Sequence, residues 1–260
     1  MLRLLLFTLT CVTVYGSRNC YKCASTELQS RWFLTGLPKA GDIFGDCLSL
    51  GSSTPVESCD GPCVTLMFDD PDQVAGFTPL IVRGCQATLM QIQSDRGSNS
   101  EKFCEIDNSY KIANSKGVTV EIKMLAEFCS GDSNRCNDRK NYENCSSGKE
   151  GNNQLISCYD CNAKQGKNCK DGKCNKKYCM KQKAKLGGGY QIIKTCSNVN
   201  IFGVDNYCSS EDVLLTPGGI TFQTRYQQCF CKDKQFCNSS TYSSFFLSSI
   251  LLIISLFMKE

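Results

Sequence analysis

Cys-Tyr-Lys-Cys at residues 20–23 is followed, further along the chain, by Cys-Asn at residues 136–137. The same pair of motifs recurs as Cys-Tyr-Asp-Cys at residues 158–161 and Cys-Asn at residues 237–238. A motif pair that occurs twice indicates an internal duplication, in which each copy has its own set of cross-links. The sequence therefore predicts two small disulfide-stapled modules, not one large core.

The cysteine count indicates an oxidising compartment. The chain of 260 residues has 21 cysteines and no histidine. Cysteines at this density are typical of extracellular disulfide frameworks, and without histidine the chain lacks the commonest general base and the commonest zinc ligand. The Cys-x-x-Cys pairs have the spacing of an all-cysteine zinc site, but disulfides are the favoured interpretation. We expect no enzyme activity, no catalytic residue, no metal site and no cofactor.

The N-terminus is typical of a cleaved secretory signal. Arg3 precedes an apolar run from Leu4 to Tyr15, and Gly16 offers a small residue for cleavage. The run is shorter than the roughly 20 residues that a membrane-spanning helix needs. Cleavage after residue 16 would also remove Cys11 from the 21 cysteines, leaving an even number that permits complete pairing.

The C-terminus indicates a glycosylphosphatidylinositol (GPI) anchor. Residues 245–258 are predominantly apolar and are followed only by Lys259 and Glu260. A helix of this length is shorter than the hydrocarbon layer of roughly 30 Å. Small residues, a polar stretch and a terminal apolar tail form the attachment signal. The attachment candidates are Asn238, Ser239 and Ser240. A short single-span helix and a secreted form are the alternatives.

The remaining cysteines divide into two sets of ten around a polar segment with linker composition. The predicted divisions are a signal peptide at 1–16, a first module at 17–145, a linker at 146–157, a second module at 158–238 and a removed tail at 239–260. Turn residues between strand-like runs predict β-hairpins within the modules. These hairpins pair 64–68 with 77–84, 110–113 with 118–128, 178–186 with 190–196, and 212–215 with 220–228. The predicted class is all-β.

Hairpins that extend from a disulfide cluster, opened by Cys-Tyr-x-Cys and closed by Cys-Asn, resemble the three-finger domain of the Ly-6/urokinase-receptor (LU) family. The resemblance covers residues 20–145 and 158–238. It implies two disulfide-rich three-finger (LU/snake-toxin-like) domains in tandem, the first with an enlarged first finger. It also implies that Asn137 and Asn238 hydrogen-bond across the base of their domains.

The resemblance further implies a disulfide pairing. In the second domain the pairs are Cys158–Cys179, Cys161–Cys169, Cys174–Cys196, Cys208–Cys229 and Cys231–Cys237. In the first domain they are Cys20–Cys63, Cys23–Cys47, Cys59–Cys85 and Cys129–Cys136. Glu127 stands where the second domain has Cys229, so Cys104 and Cys145 have no family partner. We expect them to bond to each other; the alternative is Cys104–Cys129 with Cys136–Cys145.

Two features predict a binding surface. Ten lysines and only two acids lie between Cys158 and Cys196, which is a basic patch that suits acidic glycans, acidic proteins or anionic headgroups. Its alternative is a solvated face without a ligand. The patch residues predicted to bind the ligand are Lys176, Lys177, Lys181, Lys183 and Lys185. The second feature is Trp32, the only tryptophan, which is either an exposed interface anchor or packed within the protein.

Asn144 and Asn238 begin the two candidate N-glycosylation sequons. The expected function is that of a non-enzymatic cell-surface receptor, adhesion molecule or modulator. Its expected partners are an extracellular protein or acidic glycan and, through the anchor, the outer leaflet of the membrane, with no nucleic acid. The alternatives are a secreted two-domain inhibitor or antagonist and a structural surface-coat protein.

Overall fold

The computed structural model describes residues 18–38, 41–73, 78–92, 94, 102–130, 134–145, 154–163, 169–186, 189–215 and 222–239. The predicted signal peptide, most of the predicted linker and the predicted tail from residue 240 lie outside these ranges. The predicted turns at 187–188 and 216–219 also lie outside them. Within the described ranges, no helix is long and apolar enough to cross a membrane.

The first domain is an antiparallel β structure. In its described part the strands are β1 (Arg18–Tyr21), β2 (Cys23–Ala24), β3 (Val56–Cys59), β4 (Cys63–Phe68), β5 (Leu80–Cys85), β6 (Phe103–Ala113) and β7 (Thr119–Cys129). Five of them form a sheet in the order β2-β5-β4-β7-β6, and β1 pairs with β3. A short helix, α1 (Gln86–Met90), follows β5. The two long hairpins are β4–β5 and β6–β7.

The second domain repeats this layout. Its described strands are β8 (Ile156–Tyr159), β9 (Cys161–Ala163), β10 (Lys173–Lys176), β11 (Tyr178–Leu186), β12 (Gly189–Ser197), β13 (Tyr207–Leu215) and β14 (Phe222–Cys231). The five-stranded sheet has the order β13-β14-β11-β12-β9, and β8 pairs with β10. Both domains therefore consist of one five-stranded sheet and one two-stranded pair.

The strand register shows the duplication. Cys63 on β4 faces Cys85 on β5 and Cys129 on β7. In the second domain, Cys179 on β11 faces Cys196 on β12 and Cys231 on β14 in the same way. The predicted fold class, two disulfide-rich all-β domains in tandem, is confirmed.

Ten disulfides cross-link the two domains internally, five in each. The bonded pairs are those that the family resemblance implies, and Cys104 bonds to Cys145. Small domains bury too little apolar surface to fold reliably without such staples. Each bridge contributes about 2–4 kcal/mol by restricting the unfolded chain.

The two sheets share one apolar core, which corrects the expectation of two separately packed modules. Successive side chains of a strand point to opposite faces of the sheet. One buried cluster contains Phe68 and Phe128 from the first domain together with Met180, Phe202 and Phe230 from the second. We call the sheet faces that meet in this cluster the inner faces. Each domain therefore completes the core of the other.

The enlarged first finger belongs to the same core. Leu28, Leu34 and Leu37 are buried in the shared cluster. Leu28 lies in a short 3-10 helix at Thr26–Leu28 and Leu34 in another at Trp32–Thr35, and Leu37 follows the second. Gly36, with a φ of 67°, lies so close to the second domain that a Cβ there would collide with the amide of Gln228. The insertion therefore extends the interdomain contact.

Candidate binding surface

Strand β11 divides its side chains between two environments. Tyr178 and Met180 point inward and are buried in the shared core. Since side chains alternate along a strand, Lys181, Lys183 and Lys185 share the opposite side of the sheet, which we call the outer face. Lys185 is exposed, Lys183 is half-buried and Lys181 is buried.

Neighbouring strands add further groups to the outer face. Lys194 on β12 lies opposite Lys181, and Tyr190 lies opposite Lys185. The ammonium of Lys183 is 4.0 Å from the centroid of the Tyr190 ring, which is a cation–π contact. On β14, Gln227 lies opposite Lys183, and the exposed Arg225 has the same parity as Gln227. The outer face thus carries cations on all three of these strands.

The cations continue beyond the sheet onto two aromatic rings. The ammonium groups of Lys194 and Lys170 lie 5.5 and 5.9 Å from the centroid of the Tyr159 ring. Tyr159 in turn packs against Phe236 at a centroid distance of 4.8 Å, and Lys173 lies 5.4 Å from the Phe236 centroid. We call the whole set the basic track: Lys170, Lys173, Lys181, Lys183, Lys185, Lys194 and Arg225 with Tyr159, Tyr190 and Phe236.

Like charges influence one another within the basic track. Burial, followed by the charges of Lys181 and Lys170, lowers the pKa of Lys194. Burial, followed by the charge of Lys183, lowers the pKa of Lys181. Concentrated positive charge of this kind attracts anions to the surface. The buried Lys194, whose ammonium donates to the carbonyl oxygen of Cys169 at 3.0 Å, contributes to this potential from within.

Lys176 does not belong to the exposed basic surface, which corrects its assignment as a binding residue. Its ammonium donates to both carboxylate oxygens of Asp107 at 2.7 and 2.8 Å and to the hydroxyl of Ser109 at 2.8 Å. Asp107 is in the first domain and is 1 % exposed. Lys176 therefore joins the two domains. Lys177 is half-buried next to it, between β10 and β11.

A second buried acid strengthens the same contact. Glu105 accepts a hydrogen bond from the hydroxyl of Tyr178 at 2.8 Å and one from the backbone N–H of Asn200 at 3.0 Å. Asp107 also accepts from the backbone N–H of Asn198 at 2.8 Å. Sequence reasoning missed both acids. The sequence feature that could have indicated them is a pair of carboxylates two positions apart in one strand, because residues at that spacing lie on the same face.

The outer face of the first domain is covered by its own chain. Arg83 is fully buried there, and its guanidinium donates to the carbonyl oxygens of Cys47 and Arg139. Burial lowers the pKa of Arg83 to about 10, so this group remains charged at neutral pH. The Arg139 guanidinium forms an ion pair with the buried Glu127. The hydroxyl of Tyr142 donates to Asp69 at 2.9 Å.

Arg139 and Tyr142 belong to the segment 134–145, which ends at the Cys104–Cys145 disulfide. We call this stretch the covering segment. The corresponding face of the second domain carries the exposed Lys185, Tyr190 and Arg225. The outer faces of the duplicated domains therefore differ.

Trp32 is packed within the protein, so its assignment as an exposed anchor is wrong and the alternative holds. The indole N–H donates to the carbonyl oxygen of Pro38 at 2.6 Å. The ring meets Phe44 edge-on at a centroid distance of 5.8 Å and packs against the shared core.

Asn137 and Asn238 occupy matching positions at the base of their domains. Asn137 accepts from the backbone N–H of Tyr21 at 2.9 Å and donates to the carbonyl oxygens of Tyr21 and Val64. Asn238 accepts from the N–H of Tyr159 at 3.1 Å and donates to carbonyl oxygens, among them that of Tyr159 at 3.0 Å. Each amide therefore ties the start of its domain to the end.

This geometry affects the candidate modification sites. The amide nitrogen of Asn238 is a buried donor, so a glycan on that atom is incompatible with the folded domain. GPI attachment would use the main-chain carboxyl group instead and leaves the side chain in place. Asn144 is exposed and keeps an accessible amide. Ser239 is half-buried, and Ser240 lies outside the described residues.

Two groups of three cysteine sulfurs lie close enough together to resemble metal sites. They are Cys63, Cys129 and Cys136, and Cys179, Cys231 and Cys237. Every one of these residues is in a disulfide. A disulfide sulfur is not the thiolate that binds zinc, so the groups are stacked bridges.

The fold and its surfaces define a tandem, disulfide-rich, all-β protein. Comparison with known proteins gives no match to a family model, a curated protein or a solved structure.

Proposed function

We propose that the chain is a non-enzymatic binding protein of the cell surface, of the Ly-6/urokinase-receptor type. A GPI anchor holds it on the outer leaflet, and its two domains present the outer face of the second sheet to an extracellular protein or acidic glycan. The proposed role is recognition, because the lysine, arginine and aromatic side chains of this surface suit an anionic ligand.

One observation carries the proposal: the domains are locked together while the basic track stays on the outside. Interdomain ion pairs and the shared core hold the inner faces, so those faces are occupied within the chain. Lys185, Tyr190 and Arg225 remain exposed on a sheet that hydrogen bonds and disulfides keep rigid. A rigid surface binds with little loss of conformational entropy.

The extracellular location is supported by the disulfides and by both ends of the sequence. All 20 cysteines from Cys20 onward are bonded, as expected of a protein that matures in an oxidising compartment. The apolar runs at the two ends match a secretory signal and an anchor signal.

Treatment of intact cells with a phosphatidylinositol-specific phospholipase tests the anchor. Cells expressing the full chain should release it into the medium on treatment. A matched chain in which residues 245–258 are replaced by a long membrane-spanning helix should stay on the cells. Retention of the native chain would indicate a single-span helix, and recovery in the medium without enzyme would indicate a secreted antagonist; either result rejects the proposal.

A further inference from the structure

We infer that the basic track is a binding site for a linear sulfated glycan, which lies across β12, β11 and β14 on the outer face of the second sheet. Lys183, Lys185 and Arg225 would contact the sulfates directly. The buried Lys181 and Lys194 would contribute to the positive potential beneath them. This inference names the ligand class of the proposed surface and rests on its extracellular location.

The spacing of the cations suits a chain of repeating anions. Residues two apart on one strand are separated by about 7 Å, and neighbouring strands by about 5 Å. Lys183 and Lys185 follow one another along β11, and Arg225 lies on the adjacent β14. The Tyr190 ring holds the Lys183 ammonium in place, which lowers the entropic cost of ordering this long side chain. The charges therefore form a preorganised row.

Among the side chains that the structure describes, the outer face of the second sheet exposes no aliphatic anchor of the kind that a protein partner would use. Interface hot spots are enriched in aromatic side chains that fill pockets, while the interface core is depleted in charge. Among the described residues, the exposed large hydrophobic side chains are Val56, Val118, Leu155 and Tyr190. Only Tyr190 belongs to a strand of the second sheet, and its exposed ring is in contact with the ammonium of Lys183. A ligand recognised by its charge fits this surface better than an acidic protein does.

The first domain supplies an internal comparison. There, the arginines of the outer face are covered by chain and paired with Glu127 or with carbonyl oxygens. On the second sheet, Asp212 on β13 lies opposite Arg225. The outer face around this pair carries several lysines. The duplication therefore retains one covered outer face and one charged outer face, as expected if only the second binds a polyanion.

Heparin affinity of the full-length protein, solubilised from membranes in a mild detergent, tests this site. The binding variant combines Lys183→Gln, Lys185→Gln and Arg225→Gln. The control variant combines Lys102→Gln, Lys116→Gln and Lys140→Gln, three exposed lysines of the first domain that change the net charge equally. We expect the native chain to bind immobilised heparin, with Kd rising steeply with salt. The binding variant should bind at least about tenfold more weakly, and the control within about twofold.

Further probes separate the possible occupants. Heparin stripped of its sulfates and unsulfated hyaluronan should compete poorly for the site. A preference for phosphatidylserine vesicles over heparin would make a membrane the occupant and overturn the inference. If the binding and control variants lose affinity for heparin equally, that affinity depends on net charge alone, and the inference is overturned. Because Lys183 is half-buried, Lys185→Gln with Arg225→Gln alone provides a second variant with little effect on folding.

The two proposals fail separately. The phospholipase experiment measures attachment to the membrane, whereas the heparin experiment measures the affinity of the solubilised chain. If the phospholipase releases the protein but the protein does not bind heparin, the proposed cell-surface function stands and the glycan site is rejected. A heparin-binding chain that is not released by the phospholipase would reject the proposed GPI-anchored function and leave the glycan site.

Discussion

At the scale of single residues, the contact between Lys176 and Asp107 decides how the second domain meets the first. A carboxylate that is almost fully buried requires a partner, because an unpaired charge in the interior is strongly destabilising. Asp107 obtains two partners from the second domain, the ammonium of Lys176 and the N–H of Asn198. The lysine-rich sequence therefore has two roles: Lys176 pairs with Asp107 at the domain interface, and other lysines remain at the surface.

Asp107→Asn should lower the free energy of unfolding by about 2–3 kcal/mol, because it leaves the Lys176 ammonium without its counter-charge. Lys176 keeps 19 % of its side chain exposed, which limits the loss. The control is Lys102→Gln, which removes an exposed ion pair with Asp138 and whose effect should stay within about 0.5 kcal/mol. Denaturant unfolding measures both. Equal effects of the two substitutions would show that the interdomain ion pair contributes nothing.

At this scale the sequence predicts some residues better than others. The pairing of the cysteines and the roles of the two base asparagines are implied by the family resemblance, which rests on the order of the cysteines along the chain. The order of the lysines carries no comparable information, so a run of lysines does not indicate which of them forms an ion pair. Strand alternation does group Lys181, Lys183 and Lys185 on one face. The role of Lys176 depends on an acid in the other domain, which a local pattern cannot reveal.

At the scale of elements, the covering segment explains the unequal cysteine sets. Cys104 on β6 lies opposite Glu127 on β7, as Cys208 on β13 lies opposite Cys229 on β14. With Glu127 in place of a cysteine, Cys104 bonds instead to Cys145, and Glu127 pairs with Arg139. Cys145 and Arg139 both belong to the covering segment. The absence of a cysteine at position 127 and the covering of the outer face are therefore linked.

Restoring the missing cysteine should restore the cross-strand bridge. In the double variant Glu127→Cys with Cys145→Ser, residue 127 faces Cys104 across the strand pair, and we expect the two to bond. Peptide mapping of the oxidised protein by mass spectrometry would identify the linked pair. The single variant Cys145→Ser is the control, with Cys104 expected as a free thiol. A free thiol at Cys104 in the double variant would contradict the register.

Tyr142 reports on the position of the covering segment. Burial, followed by the charge of Asp69, raises the pKa of its phenol well above the ordinary value of 10.0. A raised pKa in the folded state stabilises the fold below pH 10, and this contribution is lost as the pH rises further. In the folded protein, the change in ultraviolet absorbance near pH 10 should therefore be equally large in Tyr142→Phe and in the native chain. A smaller change in the variant would place Tyr142 in solvent.

At the scale of the whole molecule, the domains form one body because each sheet has an apolar inner face that the other sheet covers. Apolar residues along β4 predict that both faces of the first sheet are covered, but not by what, whereas apolar residues along β11 alternate with lysines. In the structure, the inner faces of the two sheets cover each other, the outer face of the first sheet is covered by its own chain, and the outer face of the second carries exposed cations. The all-β class follows from the strand and turn patterns and the disulfide pairing is implied by the family resemblance, whereas the shared core depends on contacts between distant parts of the chain.

Two glycines separate interdomain packing from backbone strain. Gly203 and Gly117 both have positive φ, 68° and 74°, so alanine is strained at either position. A Cβ at Gly203 would lie 2.8 Å from the ring of Phe128 in the other domain, while one at Gly117 would meet nothing within 4 Å. Gly117→Ala should cost about 1 kcal/mol, and Gly203→Ala about 2–4 kcal/mol. Equal costs in denaturant unfolding would argue against tight packing between the domains.

Calorimetric unfolding of the oxidised, full-length protein tests most directly whether the domains form a single body. A shared core predicts one transition, with a calorimetric enthalpy equal to the van't Hoff enthalpy of both domains unfolding together. Asp107→Asn should move that single transition to lower temperature without dividing it. Two resolved transitions in the native chain, one for each domain, would contradict the account.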